Sequence, residues 1–369
     1  MGIVKHIDKI DFLRGVAILL VFLYHSQLCL FPDFSIYYSS NNLIDLKGLK
    51  SILLFILPVN YGWSGVSLFL LISGYLIHLG FLNNPKGFNV KEFYIKRFCR
   101  IYPPYIIVLF FIVITTSGFF YMFTKKGIID IISHVLLVHN LSDSTYFSIN
   151  PSFWSLAMEV QLYLIYPILL ILRNKWGITR TFFIIFSFAI LWLIVGLFLP
   201  GNIVKSISYY SSVFTNWFIW ACGALIAENQ LINKFIFNKN KLIIAISSYF
   251  LFLICKCCVY TDGVGYLFML IGLIAFFEWS IYTSFKFNSY IFKIISLIGL
   301  CSYSIYLIHQ SYLKKLFDFL SIIYINHAKL KMAFVPLIVL LAFVIIFFIS
   351  YGFFILIEKK SSKLVKYIK

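Results

Sequence analysis

Four groups of polar residues stand inside or beside apolar runs of this 369-residue chain, and their types and spacing suit proton transfer and anion binding. Arg14 and His25 lie eleven residues apart in "IDKIDFLRGVAILLVFLYHS". On a helix that is about 1,100° of rotation and roughly 16 Å of rise, so they share one face at two depths. His is the natural acceptor of a hydroxyl proton near neutral pH when a partner holds its tautomer. Asp11, three residues before Arg14, is positioned to pair with it. In "KEFYIKRFCRIYPPYIIV", Arg97 and Arg100 put two guanidinium forks on one face, which suits a phosphate-bearing ligand. Lys96 sits beside them, and Pro103-Pro104 follow, fitting a first helical turn or else disturbing the helix there. In "NPSFWSLAMEVQLYLIYP", Ser155, Glu159 and Tyr163 stack at four-residue steps. Glu159 lies inside the apolar stretch and needs a partner, for which Arg14 and His25 are candidates. In "SYSIYLIHQ", Ser302, Tyr306 and His309 form a stripe at helical spacing.

Each group also has a structural reading. Arg14 can snorkel to the headgroups while His25 caps the outer end of its helix. Arg97 and Arg100 can be ordinary inner-side charge, and Glu159 can lock two helices through an ion pair. The Ser302, Tyr306 and His309 stripe can simply pack. Glu278, in "FFEWS", is a second intramembrane acid with no comparable polar face among its neighbours. No metal is expected: the histidines and acids lack ligand spacing, and "CKCC" (Cys255 to Cys258) has no second cluster to complete a tetrahedral site. The seven cysteines read as small apolar fillers.

The elements that must position these residues are membrane spans. Hydrophobic residues make up 62% of the chain and charged ones 12%, a profile no soluble globular class shares. Apolar runs predict an all-α integral membrane protein with ten spans, near 10–31, 52–82, 101–121, 152–172, 181–199, 209–227, 242–260, 265–284, 294–313 and 332–357. With the N-terminus inside, inner segments carry 20 Lys and Arg and outer ones 9, which favours cytoplasmic termini. The net charge of +18 is therefore read as topology signal and membrane-lipid contact, not nucleic-acid binding, because it is dispersed between apolar runs. The stretch 128–141 is apolar but short, and is expected to be re-entrant or interfacial. The loop Pro32–Lys50 offers no soluble domain, and the whole of 1–369 is expected to form a single membrane domain. The basic end, "EKKSSKLVKYIK", is expected to lie on anionic inner-leaflet lipid.

Taken in order, "IDFLRGVAILLVFLYHS", "GVSLFLLISGYLI", "RFCRIYPPY", "FWSLAMEVQLYLIYP" and "SYSIYLIH" resemble the acyltransferase 3 family of membrane acyltransferases, which O-acetylate bacterial surface glycans among other acceptors. The likeness covers nearly the whole chain. It implies a ten-helix bundle with cytoplasmic termini in the bacterial inner membrane, acetyl-CoA as cytoplasmic donor, and a glycan or lipid-linked glycan as acceptor. Lipopolysaccharide O-antigen is the foremost acceptor; capsule, exopolysaccharide, peptidoglycan and a small glycoside are alternatives. Arg14, His25, Arg97, Arg100 and Glu159 match positions the family treats as functional. His25, Arg14 and Glu159 are expected in catalysis, and Arg97 and Arg100 in donor binding. Asp11, Ser155, Tyr163, Ser302, Tyr306 and His309 are expected in support. Some relatives carry a C-terminal hydrolase-like domain, and this chain is expected to be the type without one. The competing class is a transporter or flippase of a lipid-linked glycan, but the sequence has no inverted repeat and no paired broken helices.

Overall fold

The computed structural model describes residues 3–30, 56–199, 206–257, 261–283, 290–322 and 331–365. All regular structure among the described residues is helical, as expected of a chain that must satisfy its backbone inside lipid. The loop Pro32–Lys50 lies outside them. The principal helices are α1 (Ile3–Leu30), α2 (Ser64–Leu82), α3 (Val90–Ile112), α4 (Lys125–Val135), α5 (Phe153–Leu197), α6 (Val213–Leu231), α7 (Lys241–Lys256), α8 (Asp262–Tyr282), α9 (Tyr290–Leu300), α10 (Ser302–Ile322) and α11 (Lys331–Phe353).

Among the described residues, six helices are long and apolar enough to cross a membrane, or seven if α9 and α10, bent by 75°, count as one broken span. The ten spans expected from sequence are thus not all matched. Two of them, 152–172 and 181–199, lie on either side of a break at Gly177 with φ 77° and ψ 160°, where two helices meet within the 45 residues of α5. A glycine takes that positive φ without the steric cost a side chain would add. The expected span at 242–260 is represented by α7, only 16 residues long and about 24 Å at helical rise, short of a roughly 30 Å hydrocarbon core. Helix α4 has 11 residues and reaches only about 16 Å, so it does not cross alone. Helix α3 begins well before the expected span: Asn89 caps it by accepting from the Glu92 N–H at 2.9 Å, and Pro103 and Pro104 sit in its interior, not its first turn.

The chain forms two compact units built from separated stretches. The first comprises Met1–Phe69, Ile232–Ile305 and Tyr312–Phe348; the second comprises Leu70–Leu231, Tyr306–Ser311 and Ile349–Lys369. In the first unit, α1 and α9 meet backbone to backbone. A Cβ on Gly15 would lie 2.0 Å from the Ile295 carbonyl oxygen, and one on Gly299 only 1.7 Å from that of Asp11. In the second unit, α2 and α6 make the same kind of contact: a Cβ on Gly74 would meet the Trp220 oxygen at 2.0 Å, and one on Gly223 the Leu71 oxygen at 2.2 Å. Small residues let helices approach where lipid supplies no hydrophobic drive between them. The approach of α2 to α6 brings the polar side chains of both helices within bonding reach.

Glu278, on α8, is fully buried, and its role is structural. Its two oxygens accept from the backbone N–H of Ile236 at 2.8 Å and Phe237 at 3.0 Å, satisfying a turn that would otherwise strand two donors. Lys9 serves the end of the same helix, donating to the carbonyls of Ile281 at 2.8 Å and Thr283 at 2.7 Å.

Candidate active site in the second unit

Helix α5 carries Ser155, Glu159, Tyr163, Tyr166 and Arg173 at helical steps of three, four and seven residues, so one face of it is a polar ladder. The ladder spans about 27 Å of rise. Each rung is held by a different neighbour.

At the middle, a Glu159 oxygen accepts from Ser73 Oγ of α2 at 2.8 Å and from the Tyr163 hydroxyl one turn along. Ser73 Oγ lies 3.2 Å from the same phenol oxygen and accepts a long bond, 3.4 Å, from Trp220 Nε1 of α6. Within its own unit, the hydrogen-bond partners of Glu159 are hydroxyls. Arg97 of α3 stands over the rings of Tyr163 at 5.8 Å and Phe93 at 5.6 Å. Its Nε is buried and has no hydrogen-bond partner among the described residues. Neither Arg97 nor Arg100 forms an ion pair among the described residues. A guanidinium stacked on two aromatic faces, with its hydrogen-bonding edge unspent, is poised for an oxyanion ligand.

Toward the C-terminal end of the ladder, His78 is wholly buried. Its Nε2 lies 2.9 Å from Glu228 Oε1 and its Nδ1 3.1 Å from the Tyr166 hydroxyl. Arg173 Nε donates to the same Glu228 oxygen at 2.5 Å. A neutral imidazole donating to Glu228 and accepting from Tyr166 satisfies every group in this chain. A separate bond between the same two helices, α2 and α6, runs from the Tyr75 hydroxyl to Gln230. Sequence reasoning missed this network. In the sequence His78 stands alone in an apolar run, and Arg173 and Glu228 each lie just past a predicted span. The available signal was that Ser73, Tyr75 and His78 recur on one glycine-containing helix.

At the N-terminal end, Ser155 Oγ and the Tyr306 hydroxyl are 2.5 Å apart, and that hydroxyl donates to the Ser152 carbonyl. Ser152 Oγ donates to Gln310, and Asn150 Nδ2 to the Leu307 carbonyl at 3.0 Å. Ser155 and Tyr306 are thus spent on clasping α10 to the start of α5. His309 is fully buried, its Nδ1 3.0 Å from the Tyr306 carbonyl. The segment before α5 adds a second cluster unforeseen from sequence: His134 and His139 stack at 3.8 Å with their planes 6° apart, both wholly buried. His134 Nδ1 donates to the Asp130 carbonyl at 2.7 Å. Burial holds both imidazoles below their ordinary value; His139, beside a second imidazole, is pushed down to about 3.

The remaining expected site residues belong to the first unit. Arg14 and His25 lie on the one continuous helix α1, as their spacing required, and Arg14 Nη1 is 3.7 Å from Asp11 Oδ1. His25 is partly exposed, with its ring 5.7 Å from that of Tyr24. Ser302 is buried and its hydroxyl has no partner among the described residues. No group of three or more metal-ligating side chains occurs among the described residues.

These polar groups, on helices suited to a membrane, meet a decisive comparison: the acyltransferase 3 family, described as an acyltransferase domain, matches residues 7–357. The chain belongs to that family. Its family and its apolar helices make it a multi-pass membrane protein. Among curated proteins it is similar to the peptidoglycan O-acetyltransferase OatA of Listeria monocytogenes, 30% identical over 187 residues. That match covers 47% of this chain and 25% of the relative. It is also similar to an uncharacterized protein of Haemophilus influenzae, 28% identical over 162 residues, 40% of this chain and 66% of that one. The chain thus spans less than two thirds of the length of either relative. No solved structure matches it.

Proposed function

We propose that this acyltransferase moves an acetyl group from cytoplasmic acetyl-CoA to a sugar hydroxyl of a cell-surface polysaccharide, foremost lipopolysaccharide O-antigen, at the bacterial inner membrane. The observation that carries the donor side is Arg97, stacked on Tyr163 and Phe93 with, among the described residues, an unpartnered Nε and no ion pair. A phosphate of CoA supplies the oxyanion such a fork lacks, and Arg100, three residues on, supplies a second fork. Glu159, held by Ser73 and Tyr163, keeps the Tyr163 ring beneath Arg97.

The chemistry is acyl transfer with His25 as general base. The acceptor hydroxyl gives its proton to His25 as its oxygen bonds to the acetyl carbon. The carbon–sulfur bond then breaks, and the leaving thiolate recovers the proton from the imidazolium. Arg14, paired with Asp11, supplies positive charge on the same helix. The likeness to a peptidoglycan O-acetyltransferase supports acetyl as the group and a glycan as the acceptor class.

The test is transfer of label from acetyl-CoA to membrane glycan by vesicles carrying the protein. Wild type should transfer label, and His25→Ala should insert at normal level and transfer none. Transfer by His25→Ala at the wild-type rate would remove the base role. Wild-type vesicles that move intact lipid-linked glycan without labelling it would make the protein a transporter.

A further inference from the structure

Beyond α11 the chain continues as a helical segment, Lys359–Leu364, that packs against α3. The tie is specific: buried Ser361 donates its hydroxyl to the Cys99 carbonyl. Lys359, Lys360 and Lys363, each within two residues of that tie, are exposed. On α3, at 100° per residue, the circumference runs from Cys99 through Lys96 and Arg100 to Arg97, an arc of about 160°. The docked segment therefore extends a basic arc that starts at the stacked guanidinium of Arg97. Lys96 is partly neutralised by Glu92 at 2.8 Å, whereas Arg97 and Arg100 have no carboxylate partner among the described residues.

We infer that the C-terminal segment is part of an anion site for a ligand bearing several phosphates, in which its lysines hold a phosphate separate from the one held by Arg97 and Arg100. Resting on the donor reading above, the ligand is CoA: its diphosphate meets the two arginines, and its ribose 3′-phosphate meets Lys359, Lys360 and Lys363. The contact to Cys99 also fixes the two basic segments at one level, so they act on the same side of the membrane. An exposed lysine gains little from one phosphate, and three around one dianion give a cumulative, salt-sensitive preference.

The experiment uses the full chain in discs of zwitterionic lipid and measures dissociation constants for CoA and 3′-dephospho-CoA. Wild type should prefer CoA by about tenfold at low salt. The triple variant Lys359→Gln, Lys360→Gln, Lys363→Gln should lose that preference while binding dephospho-CoA within about twofold of wild type. Ser361→Ala, which unties the segment and leaves its charges, should lose part of it, whereas Arg100→Gln should weaken both ligands alike. A triple variant that keeps the full preference overturns the assignment. If wild type binds neither ligand, the donor reading itself fails, and a second arm decides the site. Phosphatidylglycerol should then raise the melting temperature of wild type over phosphatidylcholine and not that of the triple variant, making the phosphate a lipid headgroup. Equal response of both proteins to both lipids overturns the site altogether.

Discussion

Replacing Tyr163 by Phe removes one oxygen and tests the middle rung of the α5 ladder. That hydroxyl donates to Glu159, and its ring lies 5.8 Å beneath Arg97. Phe keeps the ring face, so the cation–π contact survives, but Glu159 is left with Ser73 as its one donor among the described residues. The bond to Glu159 reaches the donor only through the position of the ring, so its loss should weaken donor binding by about two- to threefold. Tyr163→Leu removes the ring as well and costs about another 0.5–2 kcal/mol of cation–π attraction. Tyr163→Phe should therefore raise KM for acetyl-CoA slightly, and Tyr163→Leu should raise it further, by roughly tenfold, with kcat near wild type in both. Initial rates of label transfer against acetyl-CoA concentration, with expression matched by immunoblot, give both constants. A wild-type KM in Tyr163→Leu, or an equal rise of KM in both variants, would refute the assigned geometry.

Three further outcomes follow from the packing and the buried groups. Glu228→Gln should lower the melting temperature of the detergent-solubilised protein, a loss of about 2–4 kcal/mol, because Arg173 and His78 share the oxygen whose charge is removed. A double cycle with Arg173→Met should show coupling of about 1 kcal/mol, and additive effects would deny the network. Gly74→Ala should abolish accumulation in the membrane, since its Cβ would sit 2.0 Å from the Trp220 oxygen, while Gly80→Ala, with nothing within 4 Å, should accumulate normally. Acid should destabilise the protein through the stacked histidines. His139 ionises near 3 when folded against 6.5 as a free group, so the unfolded chain takes up a proton that the folded one refuses. No cost arises well above pH 6.5; stability is lost as pH falls from there toward 3, by on the order of 1 kcal/mol at pH 5.5 from this group. His139→Asn should flatten the change in melting temperature between pH 7.5 and 5.5, and an unchanged slope would contradict the burial argument.

Hydrophobic run length and charge distribution made the membrane class readable from sequence, because a hydrocarbon solvent imposes a simple rule on every span. It separates two runs at α5, where the structure also breaks, at Gly177, and it falls short at α7, whose described helix has 16 residues. Helical spacing also placed Glu159 and Tyr163 on one face and paired Asp11 with Arg14, since i to i+3 and i+4 neighbours are fixed by local geometry. What spacing could not supply was partnership between distant segments. Ser73 reaches Glu159 across 86 residues, and Glu228 reaches His78 across 150, because glycines on α2 and α6 bring those helices together. Spacing named no hydroxyl partner for Glu159, where the second unit supplies Ser73, and Tyr306, whose stripe the spacing also allows simply to pack, donates to the Ser152 carbonyl.

The most direct measurement of the central claim is NMR of the surface polysaccharide from cells with the gene intact, deleted, and restored as wild type or as His25→Ala. The account predicts an O-acetyl ester at one sugar hydroxyl in the intact and wild-type-restored strains, absent from the deletion and from His25→Ala. The same ester in all four strains, or in the His25→Ala strain alongside wild type, would contradict it.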